Sequence, residues 1–350
     1  MPGELIEDSV ILKDPSEASQ IYNKGFFGFP LSGGGLELDL IESLYLVESG
    51  RLVVQRRGEG VPFSTLTREA ARNYEDFEIK FIVYRDLRER GYVVKGDSGD
   101  FDFRVFPRGG TPSNSQTKYW VLAISERWIF DVPSYLEKLS RAERTRKELL
   151  LGVVDEEGDI TFYRASRSDP DGYEDPGLEG SVEAHLVEDR VLVFDPEEGE
   201  RLYGEGFFGK RTGEVLQLSL LETAYLMEEG KLRLRDALTG RWLSKDGFKR
   251  RAERLQPDFG LRLDAYRDMR KRGLVVKTGF KYGCHFRVYE KDPHKIHARY
   301  LVHAVPAGYE TSWPEISRAV RLAHGVKKDI LFGAVGDQRV DYLKLKRVRP

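Results

Sequence analysis

The chain has 350 residues, of which 40% are hydrophobic and 33% charged, a balance that supports a folded core and excludes a low-complexity or fibrous chain. It has no run of 18 apolar residues, and Met1-Pro-Gly-Glu-Leu-Ile-Glu-Asp lacks the basic and apolar regions of a signal peptide, so a cytoplasmic protein with no membrane partner is expected. Cys284 is the single cysteine, which excludes an intrachain disulfide and a multi-cysteine zinc site, and the net charge of −2 hides a split between −10 over residues 1–182 and +8 over residues 183–350.

In chain order, Ile6 to Leu12 reads as a strand and returns as Val187 to Phe194. Asp39-Leu-Ile-Glu42 and Ser219-Leu-Leu-Glu222 have the spacing of capping boxes and open helices that Gly50 and Gly230 end. Leu220, Leu221, Ala224, Tyr225 and Met227 form the apolar stripe of the second. Strands at Leu52 to Gln55 and Leu232 to Arg235 follow, then charged helices over Phe77 to Arg90 and Phe259 to Arg272, stopped by Gly91 and Gly273. Val93-Val-Lys95 and Val275-Val-Lys277 begin a further run of strands, a helix and two closing strands.

These pairs are one repeat displaced by 180 to 183 residues. Lys24-Gly-Phe-Phe-Gly28 returns as Glu205-Gly-Phe-Phe-Gly209, Tyr84-Arg-Asp-Leu-Arg as Tyr266-Arg-Asp-Met-Arg, and Phe103-Arg-Val-Phe106 as Phe286-Arg-Val-Tyr289. The expected fold is mixed α/β, two tandem copies of a unit made of a small α/β N-terminal subdomain and a mixed-sheet core. Boundaries are expected at residues 1–90 and 91–166 for the first copy, 183–272 and 273–350 for the second. The Gly, Pro, Asp and Ser-rich stretch 167–182 reads as an exposed linker.

Because both copies share one fold, positions at which they differ separate chemistry from architecture. Tyr289 stands opposite Phe106, His297 opposite Gln116 and Arg321 opposite Ser140, whereas Lys328 keeps its counterpart Lys147. By ungapped counting Arg347 falls opposite Ser166. All six histidines lie after residue 182, and basic residues cluster around Tyr289 and His297 and at Lys344 to Arg349, a surface suited to a polyanion. The strands Phe286 to Tyr289 and Tyr300 to Val305, joined through Pro293, put Tyr289 and His297 at one end of a pair. Ser312-Trp-Pro-Glu315 reads as a further capping box, opening a helix that carries Arg321 and His324 and delivers Lys328 at its end.

A phenol, an imidazole and an ammonium group suit metal-free RNA cleavage. RNA supplies its own nucleophile, the 2′-hydroxyl, so a base, an acid and a cation suffice. Ionising an unperturbed phenol at pH 7 costs about 4 kcal/mol, which makes Tyr289 the demanding partner. A metal set from His285, His294 and His297 has no suitably spaced Asp or Glu to complete it, so no metal or other cofactor is expected. A non-catalytic RNA-binding or assembly subunit and a metal-dependent DNA nuclease are the alternatives.

Val275-Val-Lys-Thr-Gly-Phe-Lys-Tyr-Gly283, Phe286-Arg-Val-Tyr289, His297-Ala-Arg-Tyr-Leu-Val302 and Arg321-Leu-Ala-His-Gly-Val-Lys-Lys328 together resemble the archaeal tRNA-splicing endonucleases, in the form whose subunit is a tandem of two units. The resemblance implies a restriction-nuclease-like core and a homodimer. It also implies cleavage of precursor tRNA at both junctions of a bulge-helix-bulge element, leaving 2′,3′-cyclic phosphate and 5′-hydroxyl ends. By that resemblance Tyr289 is the general base, His297 the general acid and Lys328 the transition-state cation. Arg321 and Arg347 are implied to grip an extruded base, and the acidic loop Asp155, Glu156, Glu157 and Asp159 to dock in a basic pocket of a partner. The eight-residue spacing from Tyr289 to His297 and the retained Lys147 depart from a simple match.

Overall fold

The computed structural model describes residues 1–174 and 177–350; residues 175 and 176 of the expected linker lie outside them. The first copy contains β1 (Pro2–Ile6), β2 (Ser9–Leu12), α1 (Pro15–Asn23), β3 (Phe29–Pro30), β4 (Leu36–Asp39), α2 (Leu40–Glu48), β5 (Val53–Arg56), β6 (Glu59–Gly60), α3 (Phe63–Asn73) and α4 (Phe77–Glu89). It continues with β7 (Val94–Gly96), β8 (Phe103–Val105), β9 (Tyr119–Ser125), β10 (Ile129–Asp131), α5 (Val132–Arg144), β11 (Glu148–Val154) and β12 (Ile160–Ser168).

The second copy repeats the order: β13 (Val182–Val187), β14 (Arg190–Val193), α6 (Pro196–Gly204), β15 (Lys210–Thr212), β16 (Val215–Leu218), α7 (Leu220–Glu228), β17 (Leu232–Asp236), β18 (Trp242–Leu243), α8 (Lys245–Leu255) and α9 (Phe259–Lys271). Then come β19 (Val275–Thr278), β20 (Phe286–Tyr289), β21 (Tyr300–Pro306), β22 (Glu310–Ser312), α10 (Trp313–Gly325), β23 (Asp329–Val335) and β24 (Val340–Val348). No helix among the described residues is long and apolar enough to cross a membrane.

Each N-terminal subdomain is a six-stranded sheet, ordered β3-β4-β2-β1-β5-β6 and β15-β16-β14-β13-β17-β18. The two mixed-sheet cores merge into one sheet of ten strands, β19-β20-β21-β23-β24-β12-β11-β9-β8-β7. The seam is antiparallel, and Ala165 lies opposite Leu345 at its middle. On one face α5 and α10 share a single core in which the indole of Trp313 meets Phe130, Tyr135 and Tyr163 at ring separations of 5.1 to 5.9 Å. On the other face, α4 and α9 belong to two cores, one for each copy. Burying bulky aromatic rings across the seam contributes several kcal/mol, which makes the copies one cooperative body.

The repeated Gly-Phe-Phe-Gly and Val-Val-Lys motifs tie each subdomain to the sheet. In the first copy Lys95 Nζ meets Glu42 Oε1 at 3.1 Å and donates to the carbonyl of Gly28, whose N–H donates to Glu42 at 3.0 Å. In the second, Lys277 Nζ meets Glu222 at 3.3 Å and donates to Gly209 O at 2.9 Å. Burial lowers both lysine pKa values against the opposing pull of the paired glutamate. A buried ion pair with its remaining hydrogen bonds satisfied fixes geometry more than it adds stability. Gly28 and Gly209 each have φ +68°, and a Cβ on Gly209 would stand 2.7 Å from the carbonyl of Gln217, so the second glycine of the motif is required by the backbone.

Helix ends follow the sequence unevenly. The Ser219–Glu222 capping box is complete, since Gly209 N–H and Lys277 share Glu222 Oε1 and leave Oε2 for Ser219 N–H, while Asp39 caps α2 alone because Lys95 and Gly28 N–H occupy both carboxylate oxygens of Glu42. Ser312 sits at the N-cap of α10 without a side-chain cap bond, and Glu315 is drawn to Arg318 instead, so the third capping box does not form. The linker also departs from an unattached tether. Gly172 N–H donates to Arg272 O, Tyr173 N–H to Glu290 O and Glu174 N–H to Gly273 O, at 2.9 to 3.0 Å, and Asp169 pairs with Arg272. A Cβ at residue 172 would collide with the Gly273 carbonyl. The strap is thus bonded to the residue after Tyr289.

Candidate active site

One end of the large sheet collects the candidate residues. β20 runs antiparallel to β21, β21 parallel to β23 and β23 antiparallel to β24, so the C-terminus of β20, the N-termini of β21 and β23 and the C-terminus of β24 coincide. Tyr289 ends β20, His297 lies three residues before β21, Lys328 immediately precedes β23 and Arg347 is the penultimate residue of β24. Adjacent strands are about 4.8 Å apart, so Tyr289 and Lys328 are separated by two strand spacings, about 10 Å.

Tyr289 is 7% exposed, its ring packed with Val275, Ala298 and Phe207. Its hydroxyl has no hydrogen-bond partner among the described residues, and the residue lines a cleft of about 960 Å³ between the N-terminal subdomain and the sheet. The turn before β21 holds His297 exposed on the surface. Lys328 is half-buried, its ammonium 3.5 Å from Val326 O and 6.0 Å from the ring centre of Tyr282. His297 and Lys328 therefore share the sheet end with Tyr289 but do not line its cleft in this unliganded chain.

In the first copy the same positions converge. Phe106, Gln116 and Lys147 line one cavity of about 400 Å³, and Lys147 Nζ donates to Gln116 Oε1 at 3.0 Å. In the first copy the counterparts of His297 and Lys328 thus lie within hydrogen-bond reach of each other. The arginine pair is clarified the same way. The β23–β24 hairpin is one residue shorter than β11–β12, since Val335 pairs with Val340 but Val154 with Ile160. That shift makes Arg167, not Ser166, the counterpart of Arg347, correcting the ungapped count. Arg167 Nη2 donates to Ser140 Oγ at 2.7 Å, and Ser140 is the counterpart of Arg321. The two arginine positions are therefore neighbours, while Arg321 and Arg347 are both exposed.

Two cleft residues were not among the catalytic candidates. Arg287 lies 5.8 Å from the Tyr289 ring centre, with a buried Nε that has no partner among the described residues, and His294, weighed from the sequence only as a metal ligand, lines the cleft 5.2 Å from the ring of Tyr203. Arg287 was passed over because Arg104 repeats it, and His294 because it stands in a loop. Behind the cleft, Ala304 N–H donates to His285 Nδ1 at 3.1 Å, as Ala123 N–H donates to Asp102 Oδ2 at 2.8 Å in the first copy. Burial and then the charge of Arg262 hold His285 below its usual pKa, and burial followed by His285 pushes His303 down to about 4. Among the described residues no group of three or more His, Cys, Asp or Glu side chains is disposed to hold a metal ion.

Asp155, Glu156, Glu157 and Asp159 are all exposed at the tip of the β11–β12 hairpin, where Gly158 takes φ +85°. Asp155 accepts from the N–H groups of Glu157 and Asp159, and Glu156 pairs with Arg127 at 2.8 Å. The loop is ordered within its own chain and presents carboxylates outward.

Comparison with known proteins gives the arrangement a family. The model of the tRNA intron endonuclease catalytic C-terminal domain matches residues 77–162 and 259–342, and that of the N-terminal domain residues 1–67 and 182–248. The chain is 40% identical to a tRNA-splicing endonuclease of Methanococcoides burtonii, with both chains covered in full. It is 40% identical to one of Methanosarcina mazei over 97% of this chain and 96% of the relative, and 33% identical to one of Halobacterium salinarum over the full length of both. Two N-terminal and two catalytic domains in tandem, matched from end to end, make this chain a member of the tRNA intron endonuclease family.

Proposed function

We propose that the chain is a tRNA-splicing endonuclease that cuts precursor tRNA at both exon–intron junctions of a bulge-helix-bulge. Tyr289 takes the proton of the 2′-hydroxyl, and the resulting alkoxide attacks the adjacent phosphorus. Lys328 stabilises the charge on the phosphorane, and His297 protonates the departing 5′-oxygen. The P–O5′ bond breaks as the P–O2′ bond forms, which leaves a 2′,3′-cyclic phosphate and a 5′-hydroxyl. Arg321 and Arg347 hold an extruded base between guanidinium planes.

The observation that carries this reading is the Lys147–Gln116 bond in the cavity lined also by Phe106, because the counterparts of these residues are the ammonium, imidazole and phenol that the reaction requires. Two active sites for two bulges follow if the chain is a homodimer, with the exposed carboxylates of Asp155, Glu156, Glu157 and Asp159 seated in a basic pocket on the catalytic copy of the partner chain. Purified protein incubated with a bulged RNA in EDTA should yield cyclic phosphate ends. RNA that stays intact but bound supports a non-catalytic subunit instead, and magnesium-dependent cutting of DNA overturns the assignment.

A further inference from the structure

The two small sheets differ most at the edge farthest from the cleft. In the first copy Gln55 on β5 pairs with Gly60 on β6. In the second, the same pairing sets Arg235 on β17 opposite Trp242 on β18, with Arg233 two residues earlier on the same strand face, where the first copy has Val53. The guanidinium groups of Arg235 and Arg233 lie 4.4 and 5.1 Å from the indole centre, yet Trp242 remains 48% exposed. Helix α8, packed with Leu232 and Leu234 on the opposite face of the sheet, adds further exposed cations to the subdomain, Lys249, where α3 has Thr67, Arg250 and Arg254.

Charge accumulates here without neutralisation. Residues 231–254 sum to +6 against +3 for residues 51–73. Glu183 pairs with Arg235 at 3.2 Å and Asp236 with Arg251 at 2.9 Å, but Arg233, Arg241, Lys249, Arg250 and Arg254 have no carboxylate partner among the described residues. The fold does not require them, since the first copy closes the same edge with Val53, Gln55 and Gly60.

We propose that this edge is a second RNA contact, gripping backbone and an unpaired base of the substrate outside the cleaved element. The proposal rests on the reading of the chain as an RNA endonuclease. An exposed indole flanked by guanidinium planes stacks on a base while the surrounding cations follow phosphates. An acidic protein surface would engage the cations but leave the indole without a partner. Within the small sheet β15 lines the catalytic cleft, and β18 lies five strand spacings away, about 24 Å, so the edge meets RNA far from the scissile phosphate.

The test compares a full-length precursor tRNA with a minimal bulge-helix-bulge duplex, using Arg233→Val with Arg235→Gln, the residues of the first copy, and separately Trp242→Ala. Both variants should raise KM for the full-length substrate about tenfold with kcat unchanged, and leave the minimal duplex untouched. The double variant should also flatten the salt dependence of binding by about one unit per cation removed. Equal effects on both substrates, or none on either, overturn the proposal. So does loss of the dimer on gel filtration, which would assign the edge to protein contact. If wild-type protein cuts neither RNA, the catalytic reading fails, while equilibrium binding of the full-length RNA to wild type and variants still decides the role of the edge.

Discussion

The two clefts beside the N-terminal subdomains have the same walls and different contents. Each is lined by the lysine of a Lys–Glu pair, Lys95 or Lys277, and by an arginine, Arg104 or Arg287, whose buried Nε has no hydrogen-bond partner among the described residues. One holds Phe106, Gln116 and Lys147, the other carries Tyr289 with His297 and Lys328 at the same sheet end. A phenol becomes a phenyl ring and an imidazole becomes an amide with little change in packing, so the first copy preserves shape while lacking groups that exchange protons near neutrality. Duplication thereby provides an internal control, in which most retained residues report on the fold and replaced ones are the candidates for chemistry, the retained Lys328 being the exception.

The comparison breaks most sharply at the proposed acid and base. His297→Ala and Tyr289→Phe should each slow single-turnover cleavage by about 10² to 10⁴, with RNA affinity within threefold, while Gln116→Ala leaves the rate unchanged. Equal sensitivity of the two copies in that assay would end the distinction. Lys328→Ala should cost about 10² in kcat and Lys147→Ala less than twofold, read from the same time courses.

Stability offers a third contrast, between His303 and its counterpart Leu122. His303 faces His285, Arg262 and Arg318, and its folded pKa of about 4 lies below the unfolded value of 6.5. The folded state therefore favours the neutral ring. Its contribution is complete above pH 6.5 and is lost as pH falls towards 4, on the order of 2–3 kcal/mol. Urea denaturation of His303→Leu across that range should show a shallower acid-side loss than wild type.

The smallest expected effect concerns the strap. Gly172→Val, which cannot approach Gly273, should lower kcat about tenfold by loosening the chain after Tyr289. Affinity for RNA and the melting temperature should change little, and a fall in affinity with kcat intact would remove the strap from active-site positioning.

Much of this was legible in the sequence because the signals are local. Alternation and β-branching marked β20 and β21, glycines at positive φ closed α2, α4, α7 and α9, and the repeat exposed the contrast of Tyr289 with Phe106. What escaped depends on distant partners. Lys344, Lys346 and Arg347 give β24 the charge of an edge strand, yet β12 pairs with it, and Lys344 finds Asp329 at 3.8 Å. Ungapped counting missed the Arg167 match because a turn shortened by one residue shifts everything after it. The third capping box lost its Glu315 half because that carboxylate met Arg318, a competition that spacing alone does not encode.

The seam between β12 and β24 carries one more implication. Because Ala165 and Leu345 are counterparts that face each other, the joint has the isologous geometry of a symmetric dimer enclosed in a single polypeptide. A gene divided at the strap would encode two half-length chains whose last strands already specify how they recognise one another.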